Sequence, residues 1–421
     1  MDSDTSLESN SDVPLAHDYS LRIKAEIEEN ASPSIVMILE SIIEQGYSSR
    51  ASDIHINPNE KEIVVKMRID GVLQMVHTLP KSLHNELLTR LKILCGLRTD
   101  EHQAAQDGRL RHLCEGSVPV DVRVSIMPLY YGENAVLRLL VSNQETFSLS
   151  SLGFSQENQQ KILTAMEKPY GMILATGPTG SGKTTTLYTL LSLQNSTETA
   201  IVTIEDPIEY AITGVNQIQV NSRTGLTFAH GLRSMLRQDP NTIMVGEIRD
   251  SETAGLAVNI ALTGHIVVST LHTNDAATTL PRLLDMKIEP YLIASTVNIA
   301  IGQRLVRRLC TLCKKQKVIT NIEAAEIEHL VSPHPIFVGT IIHSAVGCVA
   351  CNQSGYAGRI GVHEVLVVTP AIRRAIIARA SASTLRLLAI DEGMTPLIFD
   401  GFSKVLTGIT TLEEVLKINY E

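Results

Sequence analysis

The spacing of apolar positions changes once along the chain, and the change divides it into two parts. From Pro33 the string SIVMILESIIEQGYSSR places apolar residues at helical spacing, and a strand follows from about Asp53. EIVVKMRIDGVLQMVHTL reads as two strand arms around Asp70 and Gly71, a two-residue hairpin signal. The helix-spaced LHNELLTRLKILCGL and the strand-like VPVDVRVSIMPLYYGENAVLRLLV complete a small α+β domain over 33–145. Residues 1–32 begin acidic, Ser-rich and poor in large apolar side chains, which predicts a disordered tail. The Ser-, Thr- and Asn-containing SNQETFSLSSLGF supplies a linker at 146–154.

From 155 to 421 helical segments alternate with short, wholly apolar runs: GMILAT, AIVTIE, TIMVGE and HIVVSTLH. Such runs predict a parallel sheet buried on both faces. Each run stops on residues with phosphate or acid–base chemistry: GPTGSGKT, then Glu205–Asp206, then Glu247, then Ser269 to His272. Open α/β sheets bind ligands at the carboxyl ends of their strands, so four polar clusters at one edge describe one site.

The first cluster fits GxxxxGK[ST] between a strand and a helix. Gly177, Pro178, Thr179, Gly180, Ser181 and Gly182 form a loop whose glycines let backbone N–H groups face a triphosphate. Lys183 reaches the β/γ oxygens, the Thr184 hydroxyl is placed for Mg²⁺, and the helix opening near Thr185 turns its positive end to the same anion. Such a site needs a carboxylate to hold Mg²⁺ and one to orient water. IEDPIEY offers Glu205, Asp206 and Glu209, and DPNTIMVGEIRD offers Glu247. His265 and His272 bracket IVVSTL, and as a pair they are candidates to sense a γ-phosphate or carry a proton.

A net charge of −9 and a pI near 5.8 leave no overall electrostatic footprint for nucleic acid, and 4% aromatics with no Trp disfavour recognition by base stacking. There is no apolar run of about 18 residues and no leader pattern, so a cytoplasmic protein is expected. Four of the six cysteines fall as Cys310–Cys313 and Cys348–Cys351, two CxxC pairs 34 residues apart, a zinc signature over 310–351. Cys95 and Cys114 read as ordinary buried thiols.

Together and in this order the strings GPTGSGKTTTLY, IVTIEDPIEY, LRSMLRQDPNTIMVGEIRD and GHIVVSTLHTNDA resemble those of the ATPases of type II secretion and type IV pilus assembly. SDIHINP, RIDG and QDGR resemble that family's second N-terminal domain, and the resemblance covers about 33–420. It implies a RecA-like P-loop ATPase domain preceded by a PAS-like α+β domain, assembled as a homo-hexamer with ATP between the domains. It implies that Lys183 and Thr184 bind phosphate and Mg²⁺, that Glu247 helps hold the metal, and that Glu209, or else Glu205, positions water. Positive charge at the γ-phosphate is implied for Arg123 and Arg138, with Arg233, Arg237 and Arg249 as further candidates. The four-cysteine insert is carried by assembly and secretion members and absent from retraction members, so it implies Zn²⁺ and an extension motor. The implied partner is an inner-membrane platform protein, with recruitment to the cytoplasmic face of the membrane and no nucleic acid. Family members usually carry one more N-terminal domain, whereas only about 30 mostly polar residues precede the matched region here, a short natural form or a trimmed one. A RecA-like nucleic-acid translocase and a non-hydrolysing ATP-binding scaffold are the alternatives. DNA-stimulated hydrolysis would mark the first, and the intact Lys183, Thr184, Glu209 and Glu247 stand against the second.

Overall fold

A computed structural model describes residues 16–30, 32–114, 118–141, 147–331 and 338–418. They fall into two compact units, Met1–Gln144 and Glu145–Glu421.

The first unit runs α1 (Ala16–Glu29), α2 (Ile35–Ser48), β1 (Ala51–Pro58), β2 (Glu62–Ile69), β3 (Val72–Pro80), α3 (His84–Leu94), β4 (Gln106–Cys114), β5 (Val118–Leu129) and β6 (Gly132–Val141). Its strands form one antiparallel sheet in the order β3-β2-β1-β6-β5-β4. Asp70 and Gly71 turn the β2–β3 hairpin with φ of 49° and 86°, both left-handed, as a two-residue primed turn requires. Alternate residues such as Ile54, Ile56, Val122, Val124 and Leu137 face a core that α2 and α3 close with Ile38, Ile42, Leu87 and Leu91.

Two expectations change in this unit. The predicted tail holds α1, because Tyr19, Ile23 and Ile27 recur every fourth residue and make an apolar stripe that polar composition conceals. Glu26 fastens the helix end, accepting from the Ser34 N–H at 2.6 Å and the Asn30 amide at 2.8 Å. Residues 1–15 of that tail lie outside the described residues. Strand β4 was not foreseen either. It carries Arg109 and Arg111 outward on either side of the buried Leu110.

The second unit runs α4 (Gln156–Met166), β7 (Gly171–Thr176), α5 (Lys183–Gln194), β8 (Ile201–Glu205), β9 (Asn216–Gln219), α6 (Phe228–Met235), β10 (Thr242–Val245), α7 (Ser251–Leu262), β11 (Ile266–Leu271), α8 (Ala276–Asp285), α9 (Pro290–Thr296) and β12 (Val297–Leu309). After these come β13 (Lys315–Val318), α10 (Asn321–Val331), β14 (Ile341–Ser344), β15 (Tyr356–Val367), α11 (Pro370–Ile377), α12 (Ala382–Asp391), α13 (Leu397–Leu406) and α14 (Leu412–Lys417). The main sheet has the order β15-β12-β7-β11-β10-β8-β9, parallel except where β15 pairs antiparallel with β12. β7, β8, β10 and β11 are buried at every position, as their unbroken apolar strings require.

The predicted linker is also different where it is described. Residues 147–154 belong to the second unit, because Leu149 and Phe154 are buried in its core and the Leu152 carbonyl accepts from the Gly361 N–H at 3.1 Å. Phe154 stacks on His363 with ring centres 3.6 Å apart. The remaining predicted linker residue, 146, lies outside the described residues. The cysteine insert pairs β13 with β14 and shares a core with the C-terminal helices: Ile319, Ile327 and Ile342 pack with Phe402, Val405, Leu412 and Val415.

Among its described residues the first unit buries a lysine–carboxylate ion pair. The Lys92 ammonium, 1% exposed, lies 2.7 Å from the Glu133 carboxylate and donates to the Glu101 carbonyl at 2.6 Å, tying α3 to the start of β6. Lys92→Met would leave the buried Glu133 carboxylate with only the largely exposed His102, at 2.9 Å, so it should destabilise the protein by about 3–5 kcal/mol in denaturant titration. The double change Lys92→Met/Glu133→Leu should recover much of that loss. A single variant as stable as wild type would show that the pair does not hold the unit together.

Candidate active site

The phosphate loop begins where β7 ends. Gly177, Gly180 and Gly182 have φ of 147°, 81° and 88°, and a Cβ on Gly177 would lie 2.4 Å from the Gln303 carbonyl oxygen, so glycine is required there sterically as well as conformationally. Gly182 caps α5, so that Lys183, Thr184 and Thr185 form its first turn with their N–H groups at the loop. The Lys183 ammonium donates to the Gly177 and Pro178 carbonyls at 2.8 and 2.9 Å. Burial pulls its pKa down to about 8, with Glu247 opposing the shift and Arg304 adding to it. Pro178, Thr184 and Thr185 are half-buried, and Thr179 is exposed.

Strand register delivers the other clusters. In the parallel sheet Leu271 pairs with Thr176, so His272 follows at the level where the phosphate loop starts. The Thr273 N–H donates to the Thr176 hydroxyl at 3.0 Å, and that hydroxyl meets the Thr273 carbonyl at 2.8 Å, which locks the two strand ends together. Beyond Val245 the Thr270 hydroxyl reaches the Gly246 carbonyl at 2.7 Å and the Ile248 N–H reaches the Thr270 carbonyl at 3.0 Å. These bonds carry Glu247 to the same edge. There its carboxylate sits 3.2 Å from His272 Nε2 and 2.5 Å from an Arg249 guanidinium nitrogen. Lys183, Glu247, His272 and Arg249 therefore share one electrostatic neighbourhood.

Of the three carboxylates that IEDPIEY brings to this edge, Asp206 is exposed and contributes to the field at Arg249, and the other two differ from each other. Glu205 is buried and fully engaged: it accepts from the Thr203 hydroxyl at 2.6 Å, from the Gln217 amide at 3.1 Å and from the Tyr188 hydroxyl. Burial and the adjacent carboxylate push the Tyr188 phenol up, so it stays a donor. Glu209 is half-buried and its carboxylate takes no hydrogen bond among the described residues; its N–H points to the Tyr188 hydroxyl at 3.4 Å.

The paired role expected of the two histidines is not what the fold supports. His265 precedes β11 and lies at the amino edge, where Ile266 pairs with Gly171, and its ring is 3.2 Å from the Ile260 carbonyl. A strand of this length separates it from His272 by about 20 Å. Arg233 pairs with Glu252 at 2.7 Å, and Arg237 donates to the Arg233 carbonyl at 3.0 Å, so neither is gathered with Glu247 as Arg249 is.

In the first unit, Arg123 and Arg138 are direct cross-strand neighbours, and the row extends as Arg68, Asp53, Arg138, Arg123, Arg109 over five strands. Asp53 lies between two of them, 3.0 Å from Arg138 and 3.6 Å from Arg68. Arg138 and Arg68 thus share one carboxylate, and Arg123 and Arg109 continue the same row.

The four cysteine sulfurs lie within 4.8 Å of one another, with Cys310–Cys348, Cys313–Cys351 and Cys348–Cys351 at 3.9, 3.8 and 3.7 Å. Sulfurs around a tetrahedral zinc with bonds of about 2.3 Å would be about 3.8 Å apart, so the donor set fits that ion. The N–H groups of Cys348 and Gly355 point at the Cys351 sulfur at 3.2 Å and favour its thiolate.

Sequence reasoning missed Gln303 and Thr176, whose hydrogen bonds shape the loop, because neither belongs to a phosphate motif.

Residues 28–417 match the family described as "Type II/IV secretion system protein". "Type IV pilus assembly ATPase PilB" of Myxococcus xanthus is 45% identical over 382 residues, 91% of this chain and 67% of the relative. "Type II secretion system protein E" of Pectobacterium carotovorum is 42% identical over 387 residues, 92% of this chain and 76% of the relative. A solved structure of the pilus retraction motor PilT with bound ADP superposes with a TM-score of 0.60 at 26% identity, over 90% of this chain and 96% of that one.

The lowered Lys183 pKa fixes a pH dependence. A lysine normally keeps its charge to 10.5, whereas this one is fully charged only well below about 8 and loses its charge as pH rises through that value. A bound polyphosphate favours the charged form, so ADP affinity should fall above about pH 8 and binding at that pH should take up roughly half a proton. Calorimetry in two buffers of different ionisation enthalpy measures the uptake, and Lys183→Met should abolish it. Proton release on binding would contradict this account.

Proposed function

The chain belongs to the type II/IV secretion system protein family, and on that premise we propose that it is a motor ATPase whose hydrolysis of ATP drives assembly of pilin or pseudopilin subunits, in pilus biogenesis or type II secretion. The observation that carries this reading is the convergence of Lys183, Glu247 and His272 at the carboxyl edge of one parallel sheet, beside a glycine loop.

In this reading Lys183 and the first N–H groups of α5 bind the β- and γ-phosphates. Thr184 and Glu247 would hold Mg²⁺, which would neutralise charge developing on the transferred phosphoryl group. His272, in contact with Glu247, responds to the γ-phosphate. Glu209 positions the attacking water. It is favoured over Glu205 because three donors already occupy the Glu205 carboxylate. Arg123 and Arg138 supply positive charge to the γ-phosphate, and their adjacency as direct cross-strand neighbours supports that role. A homo-hexamer acting on an inner-membrane platform protein completes the proposal. Among the described residues no helix is long and apolar enough to cross a membrane, which suits a motor recruited to the membrane by a partner. The four cysteines hold one structural Zn²⁺, and their presence favours the extension type of motor.

Glu209→Gln should bind ATP with near wild-type affinity and lower single-turnover hydrolysis by about a hundredfold or more, the usual scale for loss of a general base. Glu205→Gln should instead lower stability, because one of the two oxygens that accept from Thr203, Gln217 and Tyr188 becomes an NH2 donor facing a donor. Normal turnover by Glu209→Gln with a folded but inactive Glu205→Gln would reverse the two roles.

Metal analysis of protein prepared without chelator should find about one zinc per chain, by the four-ligand stoichiometry. Cys348→Ser should lower thermal stability and leave ADP binding nearly unchanged. Since the insert shares its core with α13 and α14, metal loss should also loosen those helices in hydrogen exchange. Well-folded protein without zinc would remove the metal from the account.

A further inference from the structure

The geometry points to Gln303 as a positioning residue that sets the phosphate loop from the neighbouring strand, an inference that rests on the nucleotide-site reading above. Gln303 is buried on β12, one residue beyond the Gly302–Thr176 pair of the parallel β12–β7 ladder. It therefore stands beside the point where the loop leaves β7. Its amide bridges two parts of the phosphate cradle. Nε2 donates to the Ser181 carbonyl at 2.7 Å, and Oε1 accepts from the Thr186 hydroxyl, on the first turns of α5, at 2.7 Å. A carbonyl only accepts, so its contact fixes which end of the amide faces Ser181.

The bond to Ser181 has a consequence for the anion. A trans peptide is planar, with its C=O and N–H pointing in opposite directions. Turning the Ser181 carbonyl toward Gln303 therefore aims the Gly182 N–H away from β12. Gly182 is the cap of α5, so this is an N–H at the positive end of the helix. The strand packs closely on the loop at this point: a Cβ on Gly177 would meet the backbone carbonyl oxygen of Gln303 at 2.4 Å, and a Cβ on Gly182 would meet the Gln303 side-chain Nε2 at 2.8 Å. Lys183 ties down the start of the loop through the Gly177 and Pro178 carbonyls, whereas at Ser181 the loop's own bond, N–H to the Pro178 carbonyl at 3.3 Å, is long, and the Ser181 hydroxyl is buried without a partner among the described residues.

Preorganised N–H groups serve ground state and transition state alike, so loss of Gln303 should raise KM more than it lowers kcat. Gln303→Met keeps length and removes both hydrogen bonds. Gln303→Glu keeps the acceptor for Thr186 but sets an acceptor against the Ser181 carbonyl. Thr186→Val leaves the Ser181 bond in place. ADP dissociation constants by calorimetry, KM and kcat for ATP, and melting temperatures would be measured on the full chain. We expect ADP Kd and ATP KM to rise about tenfold in Gln303→Met, more in Gln303→Glu and about threefold in Thr186→Val, the scale of one or two lost net hydrogen bonds. The fall in kcat should be smaller than the rise in KM, and Gln303→Met/Thr186→Val should be no worse than Gln303→Met alone. If Gln303→Met does not fold, Thr186→Val carries the test. Variants with lower melting temperatures but unchanged Kd and KM would overturn the proposal. Wild-type protein that binds no ADP would instead overturn the nucleotide-site reading on which it rests.

Discussion

One register in the parallel sheet positions everything that the chain does with phosphate. β7 and β11 end level at Thr176 and Leu271, the β10–β8 pairing ends at Val245 and Ile204, level with Ser269, and the residues that follow are the glycine loop, His272, Gly246–Glu247 and Glu205. Because these strands are buried on both faces, slipping one of them by a residue would exchange its two sets of buried contacts and carry its terminal polar group out of the site. The apolar strings that make the sheet stable therefore also set the spacing of its chemistry.

At that edge the charges hold one another. Lys183 is buried beside Arg304 and answered by Glu247, and Glu247 is shared with Arg249 and His272. Hydroxyl and carbonyl bonds between Thr176 and Thr273, and between Thr270 and Gly246, keep these strand ends from splaying where ladder pairing stops. β12 then runs from the loop at Gln303 to Leu309, next to the cysteine cluster at Cys310. The phosphate loop and the four-cysteine insert are thus attached to the same strand.

Much of this was legible in the sequence, because the phosphate loop, the four apolar strands and the CxxC spacing are local patterns. What stayed hidden was non-local. α1 was hidden because Tyr19, Ile23 and Ile27 are only three apolar residues in a polar stretch, and their pairing with α2 is a tertiary fact. Leu149 and Phe154 sit among serines yet fill the second core and stack on His363. His265 and His272 looked like a pair because they bracket one strand, but a strand has two ends, and only the carboxyl end belongs to the site. Glu205 followed an apolar strand as a catalytic group would, and only its contacts with Tyr188, Thr203 and Gln217 show it engaged in structure. Gln303 lies more than a hundred residues from the loop it grips, with no motif to mark it.

The most direct test of this account is an experimental structure of the chain with Mg²⁺ and a non-hydrolysable ATP analogue. The account predicts the β- and γ-phosphates on Lys183 and the first turn of α5, the metal between Thr184 and Glu247, and His272 within hydrogen-bond reach of the γ-phosphate or of Glu247, with His265 remote. Nucleotide bound away from the carboxyl ends of β7, β10 and β11, or a metal held by Glu205 in place of Glu247, would contradict it.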